Sequence, residues 1–278
     1  MYATAEHRRV TSSLRAGTVP GRTRVPEPDA AFWVVKVLTT GMGETTSDFL
    51  VRTFAPELVV PAALLVLIVA LVIQFRARGY RPATYWGTAL MVSVFGTMAA
   101  DVLHVGLGVP YAVSTTGFAV VLAAVFITWW LVERTLSVHE ITTPRREAFY
   151  WAAVMSTFAL GTAAGDLTAT SLGLGYLGSW ILFLVVFAAP GVFFAVTRRG
   201  AIATFWIAYV TTRPLGASFA DWVAAPATRG GLDVGFGTVS GVLLLVFIVL
   251  VAVLSARSRR GPGAPLRAAS AASAEGSA

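Results

Sequence analysis

Residues Trp86–Asp101 read WGTALMVSVFGTMAAD, an apolar stretch that opens on Trp and carries Gly96 five residues before its closing Asp. The same spacing recurs as Trp33/Gly43/Asp48, Trp151/Gly161/Asp166 and Trp206/Gly216/Asp221. Three residue types at fixed offsets, four times over, are not a chance pattern in a chain with 8 Trp and 14 acidic residues. Each copy puts a carboxylate in apolar surroundings, where a charge is expensive and marks a functional candidate.

The composition says what kind of solvent surrounds these stretches. Of 278 residues, 56% are hydrophobic and only 13% charged, against about 25% charged in soluble domains. This is the composition of an integral membrane protein. With no cysteine in the chain, disulfides, thiolate metal ligands and Cys nucleophiles are excluded. The net charge of +7 sits in the ends of the chain and in alternate loops, as membrane topology requires, so no nucleic-acid role is expected.

Eight segments have the length of a membrane-crossing helix, about 20 residues. The motif-bearing ones are 32–51, 83–105, 148–170 and 203–225; the plain apolar ones are 57–75, 111–132, 174–196 and 234–254. The first, with Lys36, Glu44 and Asp48, is weak by hydropathy alone and is supported by its three apolar equivalents. Residues 1–31 read as a disordered basic tail without an apolar signal-peptide core, and 258–278 as a second disordered tail. With the N-terminus cytoplasmic, nearly every Arg falls in a tail or an inner loop, leaving Arg52 and Arg229 outside and Lys36 and Arg213 within spans. Both termini are therefore predicted to be cytoplasmic.

The fold class that follows is an all-α integral membrane protein with eight transmembrane helices arranged as four parallel helical-hairpin repeats, about 32–78, 83–134, 148–199 and 203–257. Each Trp begins its helix at the inner boundary, and each Asp lies about 22 Å higher, at 1.5 Å per residue. Four tandem two-helix repeats with a characteristic Trp resemble the bacterial membrane-protein family built from a repeat of unknown function. The likeness spans residues 32–257. It implies the topology and a bacterial cytoplasmic membrane, and supplies no activity.

The chemistry has to be read from the residues. If the four motif helices share an axis, Asp48, Asp101, Asp166 and Asp221 form a carboxylate ring, a common selector in cation pathways. One turn before each Asp stand Glu44, Thr97, Thr162 and Ala217, and His104 follows Asp101 by three residues. Such a set suits Mg²⁺, Mn²⁺ or protons, with the four Asp as candidate metal ligands. Lys36 and Arg213, inside spans, are read as tuning the charge of the site, with acids on neighbouring motif helices as their partners. For Lys36 a snorkelling base near the inner interface is an equal reading. The pairs Phe32-Trp33, Tyr85-Trp86, Tyr150-Trp151 and Phe205-Trp206 read as an inner aromatic belt facing the interface.

No Gly-rich phosphate loop, HExxH or GxSxG occurs in the chain, so neither an enzyme nor a bound cofactor is expected. The inner loop at about 133–147 is too short for a nucleotide-binding domain. The functional expectation is a transporter or channel-like protein for a small cation or proton-coupled solute, with the lipid bilayer as its surroundings. The alternative is a scaffold or sensor whose Trp/Gly/Asp motif, rich in small residues, only packs helices.

Overall fold

Helix starts follow local sequence. The Asp29 carboxylate accepts the Phe32 amide at 2.7 Å and caps the first helix. Pro56, Pro82 and Pro144 stand in first turns, where a missing N–H costs nothing. The structure, a computed structural model, describes residues 23–260. It contains α1 (Ala30–Thr53), α2 (Pro56–Arg76), α3 (Pro82–Asp101), α4 (Tyr111–Glu133), α5 (Pro144–Asp166), α6 (Gly175–Thr197), α7 (Ala201–Ala224) and α8 (Phe236–Arg260). Among the described residues there is no strand. Immediately after their Asp, α3 and α5 continue into π-helical turns, Val102–Gly106 and Leu167–Ser171.

The motif helices α1, α3, α5 and α7 form a closed inner ring in which each packs on the next and α7 returns to α1. The apolar helices lie outside: α2 against α3, α4 against α5, α6 against α7, and α8 against α1. The hairpin of the sequence is thus not the main packing pair. Each outer helix leans chiefly on the motif helix that follows it, and the last one closes the circle on the first.

Five helices (α2, α3 with its π turn, α4, α6 and α8) are long and apolar enough to cross a membrane. The most apolar stretch of α6 has 0% of its residues buried within the protein. Apolar side chains on all outward faces are the exterior of a helical membrane protein. Of the charges on α1, α5 and α7, Lys36, Glu44, Glu147, Arg213 and Asp221 are buried, whereas Arg52 and Arg145 stay exposed.

The expected tail over residues 1–31 is packed from residue 23 onward. Arg24 N donates to Ile141 O at 2.9 Å, Tyr80 N donates to Thr23 O at 2.9 Å, and Val25 is buried. The cause is Glu147, fully buried at the start of α5, which needs a cation there. Arg24 supplies it at 2.6 Å, while Gln74 Nε2 donates to the other carboxylate oxygen at 2.7 Å. Residues 1–22, and the expected tail beyond α8, lie outside the described residues.

Two features of the repeat build the ring. In each helix the aromatic residue before the Trp meets the Trp of the next: Phe32–Trp86, Tyr85–Trp151, Tyr150–Trp206 and Phe205–Trp33, with centroids 5.7, 5.4, 6.1 and 5.6 Å apart. The predicted interfacial belt is therefore corrected to an internal aromatic layer, with Trp86, Trp151 and Trp206 buried. Packing against a neighbouring helix removes more ring area from solvent than an interface position would.

The motif Gly forms the second contact. A Cβ on Gly43 would meet Ser93; one on Gly96, Phe158; one on Gly161, Arg213 and Pro214; and one on Gly216, Thr40 and Gly41. Every one of these lies on the next motif helix, eight residues before its Asp or beside that position. The nearest approaches would be 1.8, 2.9, 2.4 and 2.0 Å, so only Gly permits these four crossings.

Candidate functional site: a carboxylate cleft above a buried arginine

The ring leaves a cleft of about 830 Å³ at the C-terminal ends of the motif helices. Asp48, Asp101, Asp166 and Asp221 all line it, together with Glu44. The same spacing that puts each Gly at a crossing puts each Asp five residues further along, where the helices no longer touch so closely. The first turns of the outer helices supply the rim through Glu57, Tyr111, Tyr176 and Phe236, and Arg52 and Arg229 also line the cleft.

The four carboxylates differ in their partners. Asp48 accepts from Arg52 Nη2 at 2.9 Å and Nε at 3.2 Å, one helical turn away. Asp166 Oδ2 stands 3.8 Å from His104 Nδ1. Among the described residues, Asp101 and Asp221 make no ion pair within 4.0 Å. His104 Nε2 is 2.6 Å from Ser114 Oγ, and its ring packs edge-on to Tyr111 at 4.5 Å. Ligand atoms of Asp101, His104 and Asp166 all fall within 4.8 Å of one another.

The inner end of the cleft is closed by Arg213, which is fully buried. Its Nη2 contacts Glu44 Oε2 of α1, Thr97 Oγ1 of α3 and, at 2.8 Å, Thr162 Oγ1 of α5; Nη1 donates to Thr40 O at 3.4 Å. One side chain from α7 thereby joins all four motif helices. Each threonine hydroxyl accepts from the guanidinium and donates down its own helix, Thr97 to Ser93 O at 3.0 Å and Thr162 to Phe158 O at 3.1 Å. Where α1, α3 and α5 carry Glu44, Thr97 and Thr162, α7 has Ala217, and it contributes Arg213 one turn earlier instead.

Below Arg213 lies Lys36, also buried. Its Nζ sits 4.1 Å from the Phe158 ring centroid and 4.3 Å from that of Tyr209, and has no hydrogen-bond partner among the described residues. Further down, the hydroxyls of Tyr85 and Tyr150 bond to each other, and Tyr150 and Tyr209 approach at 3.3 Å. The aromatic layer then fills the axis.

The sequence-derived candidates thus separate by depth. Asp48, Asp101, Asp166, Asp221 and Glu44 share the cleft, and His104 joins Asp101 and Asp166. Thr97 and Thr162, expected beside the Asp ring, serve the guanidinium, because a buried Arg needs acceptors and each hydroxyl offers a lone pair while its own proton goes to a backbone carbonyl. Arg213 finds its acid on a neighbouring motif helix, as expected. Lys36 does not: the snorkelling reading and the acid partner both give way to cation–π contact with two rings. Sequence reasoning missed the rim residues Tyr111 and Tyr176, whose recurrence ten residues after an Asp was the available signal. It also missed Glu147, one turn before Trp151, to which Trp151 Nε1 donates at 3.5 Å.

No curated protein and no solved structure matches this chain. Four segments, residues 31–80, 84–135, 149–200 and 204–260, match the Repeat of Unknown Function (DUF347). These segments correspond to the four helix pairs α1–α2, α3–α4, α5–α6 and α7–α8, and the chain belongs to the family of proteins built from this repeat.

Proposed function

We propose that this chain is an eight-span protein of the bacterial cytoplasmic membrane, with both termini cytoplasmic, that takes a small cation from the outer side into the Asp-lined cleft and carries it inward. The observation that carries this reading is the convergence of one aspartate from each of four repeats on a single cleft, two of them without a basic partner among the described residues. A carboxylate left unpaired in a largely apolar protein calls for a cation, a proton or water. The distribution of Arg supports an outward-facing cleft: the bases cluster around the opposite end of the bundle, and among the described residues only Arg52 and Arg229 line the cleft with the acids.

The mechanism is that of a carrier rather than an open pore. Arg213 paired to Glu44 lies across the axis, and Lys36 with the tyrosine cluster fills the path below it. An incoming cation meets attraction in the cleft and like charge beneath it. Passage requires Arg213 to leave Glu44, so occupancy of the cleft and opening of the inner barrier are coupled through Glu44, which lines the cleft and bonds Arg213.

A second reading, a scaffold or sensor whose motif only packs helices, draws on the four Gly crossings. Those crossings account for the Gly of the motif and the aromatic layer accounts for its Trp, which leaves the Asp, lining the cleft, without a packing role. The two readings part on Asp101→Asn and Asp166→Asn in proteoliposomes under a cation gradient. Transport predicts loss of flux with unchanged yield and melting temperature. Lost stability, or wild-type protein that moves no cation tested, would favour the scaffold.

A further inference from the structure

The structure assigns a first-row divalent transition-metal site to Asp101, His104 and Asp166. This deepens the cation reading of the cleft, but depends on it only for the ion's access and not for its movement across the membrane.

One imidazole, that of His104, has its hydrogen bonds fixed by its neighbours. The His104 side chain is 2% exposed. Ser114 Oγ has backbone acceptors one turn back, Tyr111 O at 3.1 Å and Pro110 O at 3.4 Å. With its proton donated there, Oγ accepts from His104 Nε2 at 2.6 Å. Nε2 is then the protonated nitrogen, and Nδ1 carries a lone pair. That Nδ1 is buried and, among the described residues, has no hydrogen-bond partner. At 3.8 Å from Asp166 Oδ2 it is too far for a hydrogen bond.

A buried imidazole lone pair facing carboxylates is costly unless something accepts it. A metal ion does. Ions bonded at about 2.0–2.2 Å to nitrogen and oxygen hold neighbouring ligands about 3–4 Å apart, and the three ligand atoms here lie within 4.8 Å of each other. A neutral imidazole whose other nitrogen is held by a fixed acceptor is the usual form of a metal-binding His, and the Ser114 contact fixes its tautomer and orientation.

The ligand set also selects the ion. Two carboxylates and one imidazole suit Mn²⁺, Fe²⁺, Co²⁺ or Zn²⁺, whereas Mg²⁺ and Ca²⁺ favour oxygen throughout. The backbone supports the same arrangement. Asp101 and Asp166 end α3 and α5, and His104 sits in the π turn that follows Asp101. Such turns recur at functional sites because they break the helical phase and re-aim a side chain. The equivalent π turn after Asp166 has Ala169 where His104 would be, so the four repeats make one such site and not several.

The test is titration of the purified full-length protein in detergent with Mn²⁺, read by loss of the free-ion electron paramagnetic resonance signal, with Zn²⁺ as competitor. About one Mn²⁺ per chain, displaced by Zn²⁺, is expected. His104→Gln keeps an N–H for Ser114 but removes the Nδ1 ligand, and should weaken binding at least tenfold without altering the melting temperature. Asp166→Asn should do the same, and Ser114→Ala should weaken binding about 10–100-fold through the lost outer contact. Wild-type protein that binds neither ion, or His104→Gln that binds as tightly as wild type, overturns the site. Binding with no flux in proteoliposomes would leave the site standing and remove transport; flux of another cation without Mn²⁺ or Zn²⁺ binding would do the reverse.

Discussion

A Cβ on Gly161 would stand 2.4 Å from Cγ of Arg213 and 2.6 Å from its Cβ. The glycine that lets α5 approach α7 therefore also seats the guanidinium that joins the four motif helices. Packing and electrostatics meet at one atom-sized gap.

Gly161→Ala should lower the melting temperature of the purified protein, with a cost of about 1–3 kcal/mol for overpacking. Gly117→Ala is the control, since nothing lies within 4 Å of a Cβ there. It should leave stability unchanged or raise it slightly, by the helix propensity of Ala over Gly. Equal behaviour of the two variants in thermal melts would remove the tight crossing from the account.

Glu44→Leu strands a buried guanidinium, and the cost should be about 3–5 kcal/mol. Adding Arg213→Leu should restore a large part of that loss, because the penalty comes from the unpaired charge and not from the missing attraction. Thermal unfolding of the two single variants and the double variant, treated as a cycle, measures the coupling. Additive losses would mean that the two residues do not act as a pair.

Trp86→Ala should cost about 3–5 kcal/mol, as for a large core aromatic. Single-Trp variants distinguish a core layer from an interfacial belt. Fluorescence from Trp86, which is 0% exposed, should resist quenching by brominated lipid, whereas Trp130, at 50% exposed, should be quenched.

Glu147→Ala should release the strap at residues 23–29, since Arg24 then loses its carboxylate partner. Limited proteolysis should cut the variant at Arg24 faster than the wild type. Arg52→Ala, by contrast, breaks a pair whose Arg side chain is 49% exposed, and should change stability by no more than about 1 kcal/mol.

Much of the architecture was legible because the repeat marks phase as well as number. Trp, Gly and Asp at fixed offsets place each helix, its parallel direction and the shared depth of the carboxylates. What a one-dimensional spacing does not carry is the identity of a lateral neighbour. Trp86 at a helix start reads as interfacial, yet its ring meets Phe32 on the preceding motif helix. Thr97 and Thr162 read as companions of Asp because they stand one turn from it. A long Arg side chain reaches them from a position of its own that only the ring closure defines. His104 was visible as an ionisable outlier, but the turn that directs its Nδ1 is a π turn, for which no residue pattern is diagnostic.

The closure of α8 onto α1 has a consequence for how such a chain can be cut or multiplied. Every contact around the axis is head-to-tail, one surface of a repeat against a different surface of the next. Such an interface has no natural end and is satisfied only when the rotation completes a circle, here after four units. Two or three repeats alone would expose one unmatched donor surface and one unmatched acceptor surface. A single repeat could fold stably only by assembling with three copies of itself, handing its outer helix to its neighbour. The linker between repeats is thus a covalent shortcut for an oligomer, and it frees each copy to diverge, so that one can carry His104 and another Arg213.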